Sequence, residues 1–333
     1  MTAGATSIVL ITRNQAWNVD AAILAAVAEL GRCGGGELIV VDSASSDGTL
    51  DFSAPHPVGL VELAGSQLLT PSLGRWLGTQ LAGGDAVLFL DGDMRLAAGW
   101  LSEALCALED ATVGCVTGRL VWGDDLQQVD ATESQARDVP WFQGAALIRR
   151  SVLEQAGTFN PVLRSEEESE LSTRIRAAGY RIVCLDRAVA THPASTGNPI
   201  GDILARRRRG LYLGFGQVLK LHGAAPSRLE YLRRRAFWIP PALAVVGALL
   251  ALAASLRSRS RTPLLAAGAV GSVLAAQLAH RKGGMLHATA SLATRTAILE
   301  GTIRGIVLPA HPPPEFTPAF RVLREAPRIN GHT

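Results

Sequence analysis

Residues 37–49 read ELIVVDSASSDGT, an apolar run that ends on an acid and passes into a polar, turn-rich segment. A short apolar run rich in branched side chains is typical of a strand that is buried on both faces. Asp47-Gly48 is a common turn dipeptide and marks the loop that follows the strand. The stretch therefore predicts a buried strand that presents Asp42 at its carboxyl end.

Similar apolar runs lie on either side of this stretch. Strands are also predicted over residues 7–11, 58–63 and 86–90, and helices over residues 21–30 and 73–81. Strands that alternate with helices form a parallel sheet with helices on both faces. Ligands of such sheets bind beyond the carboxyl ends of the strands, where Asp42 and Asp91 both fall. A nucleotide is therefore expected at this edge of the sheet.

Asp91-Gly92-Asp93 directly follows the predicted strand over residues 86–90. Two carboxylates one residue apart can bind a hard divalent cation through oxygen ligands. Mg²⁺ or Mn²⁺ at this point would bridge two phosphates and neutralise charge as a diphosphate leaves. The same pattern is common in ordinary loops, and its place at a strand end is what favours a metal site here.

These segments resemble the family 2 glycosyltransferases, which have the GT-A fold. The family's signature is a strand followed by D-x-x-S-x-D-G-T, and it is matched by Asp42, Ser45, Asp47, Gly48 and Thr49. The resemblance extends over residues 7–200. It implies an α/β fold of the nucleotide-diphospho-sugar transferase type, with a Rossmann-like, mostly parallel sheet and helices on both faces.

The resemblance also implies a set of donor-binding residues. Residues 7–14 resemble the family's opening strand and nucleotide-contacting loop, and Gly74-Arg75 resembles its A-R-N-x-G motif, with Trp76 in place of Asn. The implied donor-binding residues are Thr12, Arg13, Asp42, Ser45, Asp47, Arg75 and Asp91. Asp42 would contact the base or the ribose. For Asp47-Gly48, a plain turn explains the residues equally well.

An acidic run opens a predicted helix over residues 166–179. Such a run is often a solvated face stabilised by the helix dipole. The family, however, has E-D-x-D-L-x-x-R here, and Glu167, Glu168, Glu170, Leu171 and Arg174 align with it. The resemblance implies that Glu168 is the general base that deprotonates the acceptor, with Glu167 as the second candidate because Glu replaces Asp in this motif. Arg174 can pair with Glu170 one helical turn away.

Further site residues follow from the resemblance in the later part of the domain. His192 would join Asp93 and Asp91 as a metal ligand, although a lone histidine is often structural. Residues 142–150 resemble the family's segment of small residues on the acceptor side, where Gly144 lies. Trp141 would stack on an acceptor sugar or belong to the core.

The two parts of the chain differ in charge. Residues 1–205 have a net charge of −12, and residues 206–333 have one of +15. An acidic part suits a metal-dependent site, and a basic part beside apolar segments suits an anionic membrane surface. Nucleic acid is a poorer partner, because aromatic residues are not interleaved with the arginines. Four scattered cysteines and the lack of a signal-like apolar run predict a reduced, cytoplasmic catalytic domain.

The apolar residues of the chain are concentrated near its end. Uncharged runs over residues 237–256 and 262–279 approach the ~20 residues that span a bilayer, and two buried helices are the alternative. Large apolar residues at seven-residue spacing predict an amphipathic helix; they are Met285, Leu292, Leu299 and Ile306. The predicted plan is a GT-A domain (1–205), a basic juxtamembrane segment (206–236), an apolar helical membrane hairpin with the amphipathic helix (237–308), and a Pro-rich, extended tail (309–333).

The sequence thus predicts an inverting, metal-dependent glycosyltransferase on the cytoplasmic face of the cell membrane. It would move one sugar from a nucleotide-diphosphate-sugar to a lipid-linked or glycan acceptor, because the QxxRW motif of processive synthases is absent. One alternative is a catalytically degenerate scaffold that binds nucleotide-sugar at the membrane. Another is a nucleotidyltransferase, which would normally have a Gly-rich, basic loop where residues 12–15 read TRNQ.

Overall fold

The structure is a computed structural model that describes residues 5–51, 57–123, 136–193, 198–223, 225–234, 239–282 and 284–331. The chain forms two compact units, Met1–Ser195 with Pro309–Thr333, and Thr196–Leu308. The first unit therefore ends earlier than the predicted boundary at residue 205. It also includes the segment that was predicted to be a separate tail.

One mixed sheet runs through the first unit. Its described strands are β1 (Thr6–Thr12), β2 (Gly35–Asp42), β3 (Gly59–Leu63), β4 (Ala86–Asp91), β5 (Arg95–Leu96), β6 (Val113–Trp122), β7 (Arg137–Asp138), β8 (Ala146–Arg149), β9 (Arg181–His192), β10 (Phe320–Arg324) and β11 (Ile329–Asn330). Their order is β10-β3-β2-β1-β4-β8-β6-β9-β5, with β11 beside β2 and β7 beside β9. Strands β3, β2, β1 and β4 are parallel, as predicted.

The far half of the sheet differs from the predicted, mostly parallel arrangement. Strand β8 is antiparallel to both of its neighbours, β4 and β6, and β6 and β9 are parallel to each other. Two antiparallel steps restore the direction of β4 in β6 and β9. The carboxyl ends of β4, β6 and β9 therefore lie at one edge of the sheet.

Helices cover both faces of this sheet, which confirms the prediction of the layers. They are α1 (Val19–Arg32), α2 (Pro71–Leu81), α3 (Trp100–Ala107), α4 (Arg150–Ala156) and α5 (Glu167–Ala177). Side chains of α1 and α3 pack in one core with Ile8 and Leu10, and those of α2, α4 and α5 pack in a second core with Val9. The alternation of neighbouring residues between two cores is expected of a strand that is buried on both faces.

Helix α2 lies unusually close to β1. A Cβ atom on Gly74 would be 3.1 Å from Ile11 Cγ2, and one on Gly78 would overlap the side chain of Val9. The two glycines, four residues apart, share one face of the helix and remove the side chains that would hold it away. Arg75 follows the first of them, so this packing fixes the height of Arg75 above the sheet.

The predicted extended tail is extended, but it is paired with the sheet. Strand β10 is antiparallel to β3, and β11 is antiparallel to β2. Phe316 meets Trp76 edge to face, with ring centroids 5.7 Å apart. Trp76, which replaces the family's Asn, therefore packs against the returning segment.

The second unit is helical in its described residues. Its helices are α6 (Pro199–Arg208), α7 (Gly214–His222), α8 (Pro226–Arg234), α9 (Ile239–Ser258), α10 (Thr262–Lys282) and α11 (Met285–Ile306). Helices α9 and α10 pack on each other as a hairpin. No helix within the described residues has both the length and the apolar character to cross a bilayer, so the predicted membrane crossing is not supported. Residues 235–238, where the predicted hairpin begins, lie outside the described residues.

Helix α11 makes its closest contacts through small residues. Leu292 and Ile306, two of the predicted stripe residues, are exposed. Cβ atoms on Gly301 and Gly305 would collide with the backbone of Tyr212 and Leu213, which directly precede α7. Close packing of helix backbones, rather than a stripe of large apolar residues, fixes this helix.

Candidate functional site

Asp42, at the end of β2, joins the loops that follow β1 and β2. Its Oδ1 accepts hydrogen bonds from Thr12 Oγ1 at 2.9 Å and from Ser45 Oγ at 2.5 Å, and its Oδ2 accepts from Ser45 N at 2.7 Å. The side chain is fully buried. These three predicted donor-binding residues therefore hold one another, and a direct contact of Asp42 with the base or ribose stays a prediction.

Asp47 has a similar role further along the same loop. It accepts hydrogen bonds from Ala16 N at 3.1 Å and from Thr49 N at 3.0 Å. The Thr49 hydroxyl also donates to it, and this bond lowers the pKa of Asp47. The Asp-x-x-Ser-x-Asp-Gly-Thr motif thus fastens the loop after β2 to the loop after β1, leaving Arg13 exposed at the rim.

Asn18 fixes the turn that follows β4. Its Nδ2 donates to Gly92 O at 2.9 Å, and its Oδ1 accepts from Arg95 Nε at 2.7 Å. Gly92 itself donates to Ile11 O at 2.8 Å, and a Cβ there would lie 2.7 Å from Thr12 Cγ2. Asn18 is the N-cap residue of α1 but makes no side-chain cap hydrogen bond, because its amide is used by this turn. The turn that carries Asp91 and Asp93 is therefore rigidly supported.

Arg75 of α2 gathers three carboxylates beneath the same edge. Its Nη2 donates to Asp91 Oδ1 at 2.6 Å and lies 3.3 Å from Glu168 Oε1, while its Nη1 donates to Glu167 Oε1 at 2.6 Å. The guanidinium carbon lies 5.5 Å from the ring centroid of Phe159. Arg75 is the cation that joins β4 to the start of α5.

Arg75 is almost completely buried among the carboxylates that it contacts. Its side chain is only 2% exposed, and its predicted contact with a donor stays a prediction. Burial lowers the pKa of Arg75, but Asp91 and the two glutamates raise it more, so the pKa lies above its ordinary value. Burial also raises the pKa of Asp91, against the effect of Arg75. In the structure, Arg75 therefore positions these carboxylates.

Glu168 is the glutamate of α5 that solvent reaches best. Its side chain is 24% exposed, compared with 9% for Glu167. Its Oε1 accepts a hydrogen bond from Gly144 N at 2.8 Å, and its second oxygen accepts none from the described residues. Burial raises the pKa of Glu168 to about 8, although Arg75 opposes the shift. Gly144, predicted on the acceptor side, thus contacts the predicted base.

Glu170 has a structural role. It is fully buried and forms a two-point ion pair with Arg174, whose Nε and Nη2 lie 2.7 and 2.6 Å from its carboxylate oxygens. The same guanidinium donates to the carbonyl oxygens of Ala156, Gly157 and Thr158. The predicted pair one helical turn apart is confirmed, and it leaves Glu168 as the exposed carboxylate of the motif.

Asp93 and His192 face each other at the ends of the β4 turn and β9. His192 Nε2 lies 3.5 Å from Asp93 Oδ2, and His192 Nδ1 lies 3.0 Å from Pro193 O. Because a carbonyl only accepts, Nδ1 is the donor, and in the neutral ring Nε2 presents a lone pair to Asp93. Asp93 Oδ1 is buried without a hydrogen-bond partner in the described chain. Two facing acceptors and an unpaired carboxylate oxygen fit a divalent cation.

The third predicted metal ligand, Asp91, is placed differently from Asp93 and His192. Among the described residues, no three His, Cys, Asp or Glu side chains lie together as a metal-binding group. Asp91 directs Oδ1 to Arg75, and its role as a metal ligand stays a prediction. A divalent cation held by Asp93 and His192 would take phosphate oxygens and water in its remaining positions, as is usual for Mg²⁺.

Sequence reasoning missed two residues of this edge. Asn18 appears as an ordinary helix cap, and only the folded chain brings its amide to the turn after β4. Trp122, the last residue of β6, lies against His192 with ring centroids 4.5 Å apart. The alternation of inward and outward side chains along β6 is the sequence signal that could have predicted an exposed aromatic residue at the end of this strand. Trp141, the predicted acceptor-side aromatic, is partly buried, and its contact with a sugar stays a prediction.

This chain is similar to known proteins in sequence and in fold. Residues 7–166 match the family described as Glycosyl transferase family 2. Glycosyltransferase AglE of Haloferax volcanii is 24% identical over 226 residues, which cover 64% of this chain and 72% of that protein. A solved structure, the mannosyltransferase PcManGT from Pyrobaculum calidifontis in complex with GDP-Man and Mn2+, has a TM-score of 0.61 at 22% identity, covering 89% of this chain and 87% of its own. GalNAc-T7 with UDP, GalNAc and Mn2+ has a TM-score of 0.46 at 13% identity, covering 70% and 55%.

Proposed function

This chain belongs, through residues 7–166, to glycosyl transferase family 2, and from that premise we propose that it transfers one sugar, with inversion, from a nucleoside-diphosphate-sugar to a lipid-linked or glycan acceptor. The observation that carries the proposal is the Arg75 cluster. It holds Asp91, at the exit of β4, and Glu168, at the start of α5, on a single buried cation. An acid-rich sheet edge next to a fixed base is what direct displacement at a sugar carbon requires.

Glu168 is the base of the proposed reaction. Its second oxygen takes the proton of the acceptor hydroxyl while the hydroxyl oxygen forms a bond to the anomeric carbon. The bond from that carbon to the diphosphate breaks on the opposite face, and the diphosphate leaves with the electron pair. Gly144 N and Arg75 keep Glu168 Oε1 in place during this step, so that the carboxylate does not have to be oriented anew.

Asp93 and His192 are the residues that would hold a divalent cation. A bound Mg²⁺ or Mn²⁺ supplies positive charge to the leaving diphosphate. Asn18 keeps the turn of Asp93 in place, and the hydrogen bond of His192 Nδ1 to Pro193 O keeps the ring oriented. The solved structure of PcManGT is a complex with GDP-Man and Mn2+, which makes GDP-mannose with Mn²⁺ the first donor to test.

A donor screen tests this function. The full chain is incubated with Mn²⁺ and, separately, with GDP-mannose, UDP-glucose, UDP-N-acetylglucosamine and UDP-galactose, and the released nucleoside diphosphate is measured. We expect release from one donor above the others and its loss in Asp93→Ala. A matched control is Asp186→Asn, which removes an exposed carboxylate from β9 of the same domain.

The outcomes of the screen separate the alternatives. Donor binding without release, in both the presence and the absence of acceptors, would support the degenerate nucleotide-sugar-binding scaffold. Release of pyrophosphate from a nucleoside triphosphate and a sugar phosphate would support a nucleotidyltransferase. Release that is unchanged in Asp93→Ala would remove Asp93 and its cation from the mechanism.

We also propose that the second unit binds an anionic lipid surface on the cytoplasmic face of the membrane. Leu250, Leu256 and Leu265 of the α9–α10 hairpin are 65%, 72% and 71% exposed. Arg257, Arg259 and Arg261 are exposed around the turn of the same hairpin. Apolar side chains with adjacent arginines suit the boundary between acyl chains and anionic headgroups.

Liposome flotation tests this surface. The chain should float with vesicles that contain phosphatidylglycerol and much less with pure phosphatidylcholine. The double variant Leu250→Asp/Leu265→Asp should lose flotation while keeping nucleoside diphosphate release. Equal recovery with both vesicle types, or full flotation of the variant, would contradict the proposal.

A further inference from the structure

Trp122 is an exposed aromatic side chain held firmly at the catalytic edge. It is 62% exposed although it ends the β6 strand of the central sheet. Its backbone is in register with His192, and Gly123 N donates to His192 O at 2.8 Å. Its ring packs on the imidazole at a 53° tilt. The indole is therefore oriented by its neighbour, while most of its surface is open.

The order of the strands separates Trp122 from the nucleotide end of the site. The fastened loops lie after β1 and β2, the Asp93 turn lies after β4, and β6 follows two strands further on, beyond β8. Because β6 runs in the direction of β4, Trp122 lies at the same edge of the sheet as Asp93. The nucleotide loops thus lie on one side of β4, and Trp122 lies on the other side, between β4 and β9, the strand that ends at His192.

The reacting groups lie on the same side as Trp122. Gly144, which holds Glu168, lies on the segment leading into β8, and a Cβ there would be 3.3 Å from Leu120 Cδ1 of β6. The base and the aromatic ring are thus both approached from the β8–β6 side of the edge. An acceptor whose hydroxyl reaches Glu168 from this side would pass the indole.

We propose that Trp122 is the platform on which a pyranose ring of the acceptor stacks. Pyranoses have faces lined by C–H groups and rims lined by hydroxyls, so a flat, exposed indole beside charged groups matches both parts. The inference rests on the proposed function, and it narrows the acceptor to one that has a sugar ring adjacent to the attacked hydroxyl. An acceptor with a bare lipid phosphate would have no use for this platform.

Kinetics with saccharide acceptors test the platform. Octyl α-D-mannopyranoside and octyl β-D-glucopyranoside serve as probes, with the donor found by the screen. Trp122→Ala should raise the acceptor KM about 10-fold to 100-fold, the range of alanine replacements under stacked rings. Trp122→Phe should recover most of the loss. Phe320→Ala, which removes a 38% exposed aromatic from β10 at the opposite end of the sheet, is the matched control and should change nothing.

The donor side provides the opposing readout. In Trp122→Ala, the KM for the acceptor should rise by a larger factor than the donor KM of acceptor-independent hydrolysis, in which loss of the ring can act only through its contact with His192. A higher donor KM with an unchanged acceptor KM would overturn the proposal, because it would place the donor sugar on the indole. Unchanged constants for both substrates would overturn it as well.

Binding without turnover separates this proposal from the proposed function. Saturation-transfer NMR with methyl α-D-mannopyranoside and methyl β-D-glucopyranoside should show transfer to ring protons in the unaltered chain and in Phe320→Ala. The transfer should be lost in Trp122→Ala. Should no donor be turned over, the proposed function fails while this measurement still decides the platform. Equal transfer in the unaltered chain and in Trp122→Ala would overturn it.

Discussion

Replacing Glu168 with Gln should change the pH dependence of turnover in a way that identifies the base. Burial raises the pKa of Glu168 to about 8. A carboxyl group with that pKa is about one-tenth ionised at pH 7. Because only the ionised form accepts a proton, kcat/KM should rise with pH and be about tenfold lower at pH 7 than on its plateau. Glu168→Gln should lower the plateau by about 10²-fold to 10⁴-fold and remove the rise.

The charged groups around Glu168 set the direction of further shifts. Arg75 of α2 lowers its pKa, whereas Glu167 of α5 and Asp91 of β4 raise it. Glu167→Gln removes one of the two negative charges and keeps an oxygen that can accept from Arg75 Nη1. The rise in kcat/KM should then move to lower pH, and activity at pH 7 should increase. If Glu167 is the base, this variant loses activity instead.

The assay follows kcat/KM for the donor from about pH 5.5 to about 9.5, since this constant reports the free enzyme. A flat profile in the unaltered chain would refute the reasoning, as would full activity in Glu168→Gln. Stability gives an independent check. The folded pKa of Glu168 lies above its unfolded value, so its contribution is present below about pH 4.5 and is lost as the pH rises through about 8. The melting temperature of Glu168→Gln minus that of the unaltered chain should therefore increase from pH 5 to pH 9.

Three further variants test the supports of the site. Arg75→Met leaves three carboxylates without their cation and should lower the free energy of unfolding by about 3–5 kcal/mol. Chemical denaturation measures this loss. A loss below about 1 kcal/mol would mean that water already screens the charges of the three carboxylates. Asn18→Ala should cost about 1–3 kcal/mol and weaken metal-dependent nucleotide binding, because Gly92 O and Arg95 lose their partner; unchanged binding would show that the turn stands without it. Gly144→Ala should lower kcat with little change in donor KM, because the φ of +64° at Gly144 and the nearby Met94 side chain disfavour a Cβ atom. A change confined to donor KM would argue against a contact between Gly144 and the base, Glu168.

The parallel half of the sheet was predictable from local sequence. Strands β1, β2 and β4 are continuously apolar runs, and each lies within one or two residues of its predicted bounds. Because these strands are buried on both faces, they are recognised from their own apolar residues, without knowledge of the residues that they contact. The two acids at their ends could be placed at the ligand-binding edge for the same reason.

The antiparallel half and the returning tail could not be predicted in this way. Strand β8 has only four residues, and its neighbours β4 and β6 are fixed by tertiary pairing. Strand β10 is exposed along its whole length and pairs with β3 some 260 residues earlier, at Phe320 and Leu63. A sequence pattern shows whether a segment is extended, but it does not identify a partner at such a distance.

The roles of charged residues were the least predictable part of the site. Arg75 has the sequence context of an exposed helix residue, and only the glycine-mediated approach of α2 to β1 buries it among carboxylates. Asp42 lies at the end of a strand. An acid there can either bind a ligand or accept hydrogen bonds from the following loop, and the residue type alone does not distinguish these two roles. Sequence reasoning could name these residues, whereas the folded chain distinguishes those that support the site from those that reach it.

Binding of nucleoside diphosphate, with and without metal, tests the central claim most directly. Isothermal titration calorimetry measures the Kd of GDP and of UDP for the unaltered chain, for Asp93→Asn and for Asp186→Asn, each with Mn²⁺ and with EDTA. For the tighter nucleotide, we expect Mn²⁺ to strengthen binding at least about tenfold, a coupling of about 1.4 kcal/mol, in the unaltered chain and in Asp186→Asn, and to have no effect in Asp93→Asn. Equal affinity with Mn²⁺ and with EDTA in the unaltered chain would contradict a cation held at Asp93 and His192.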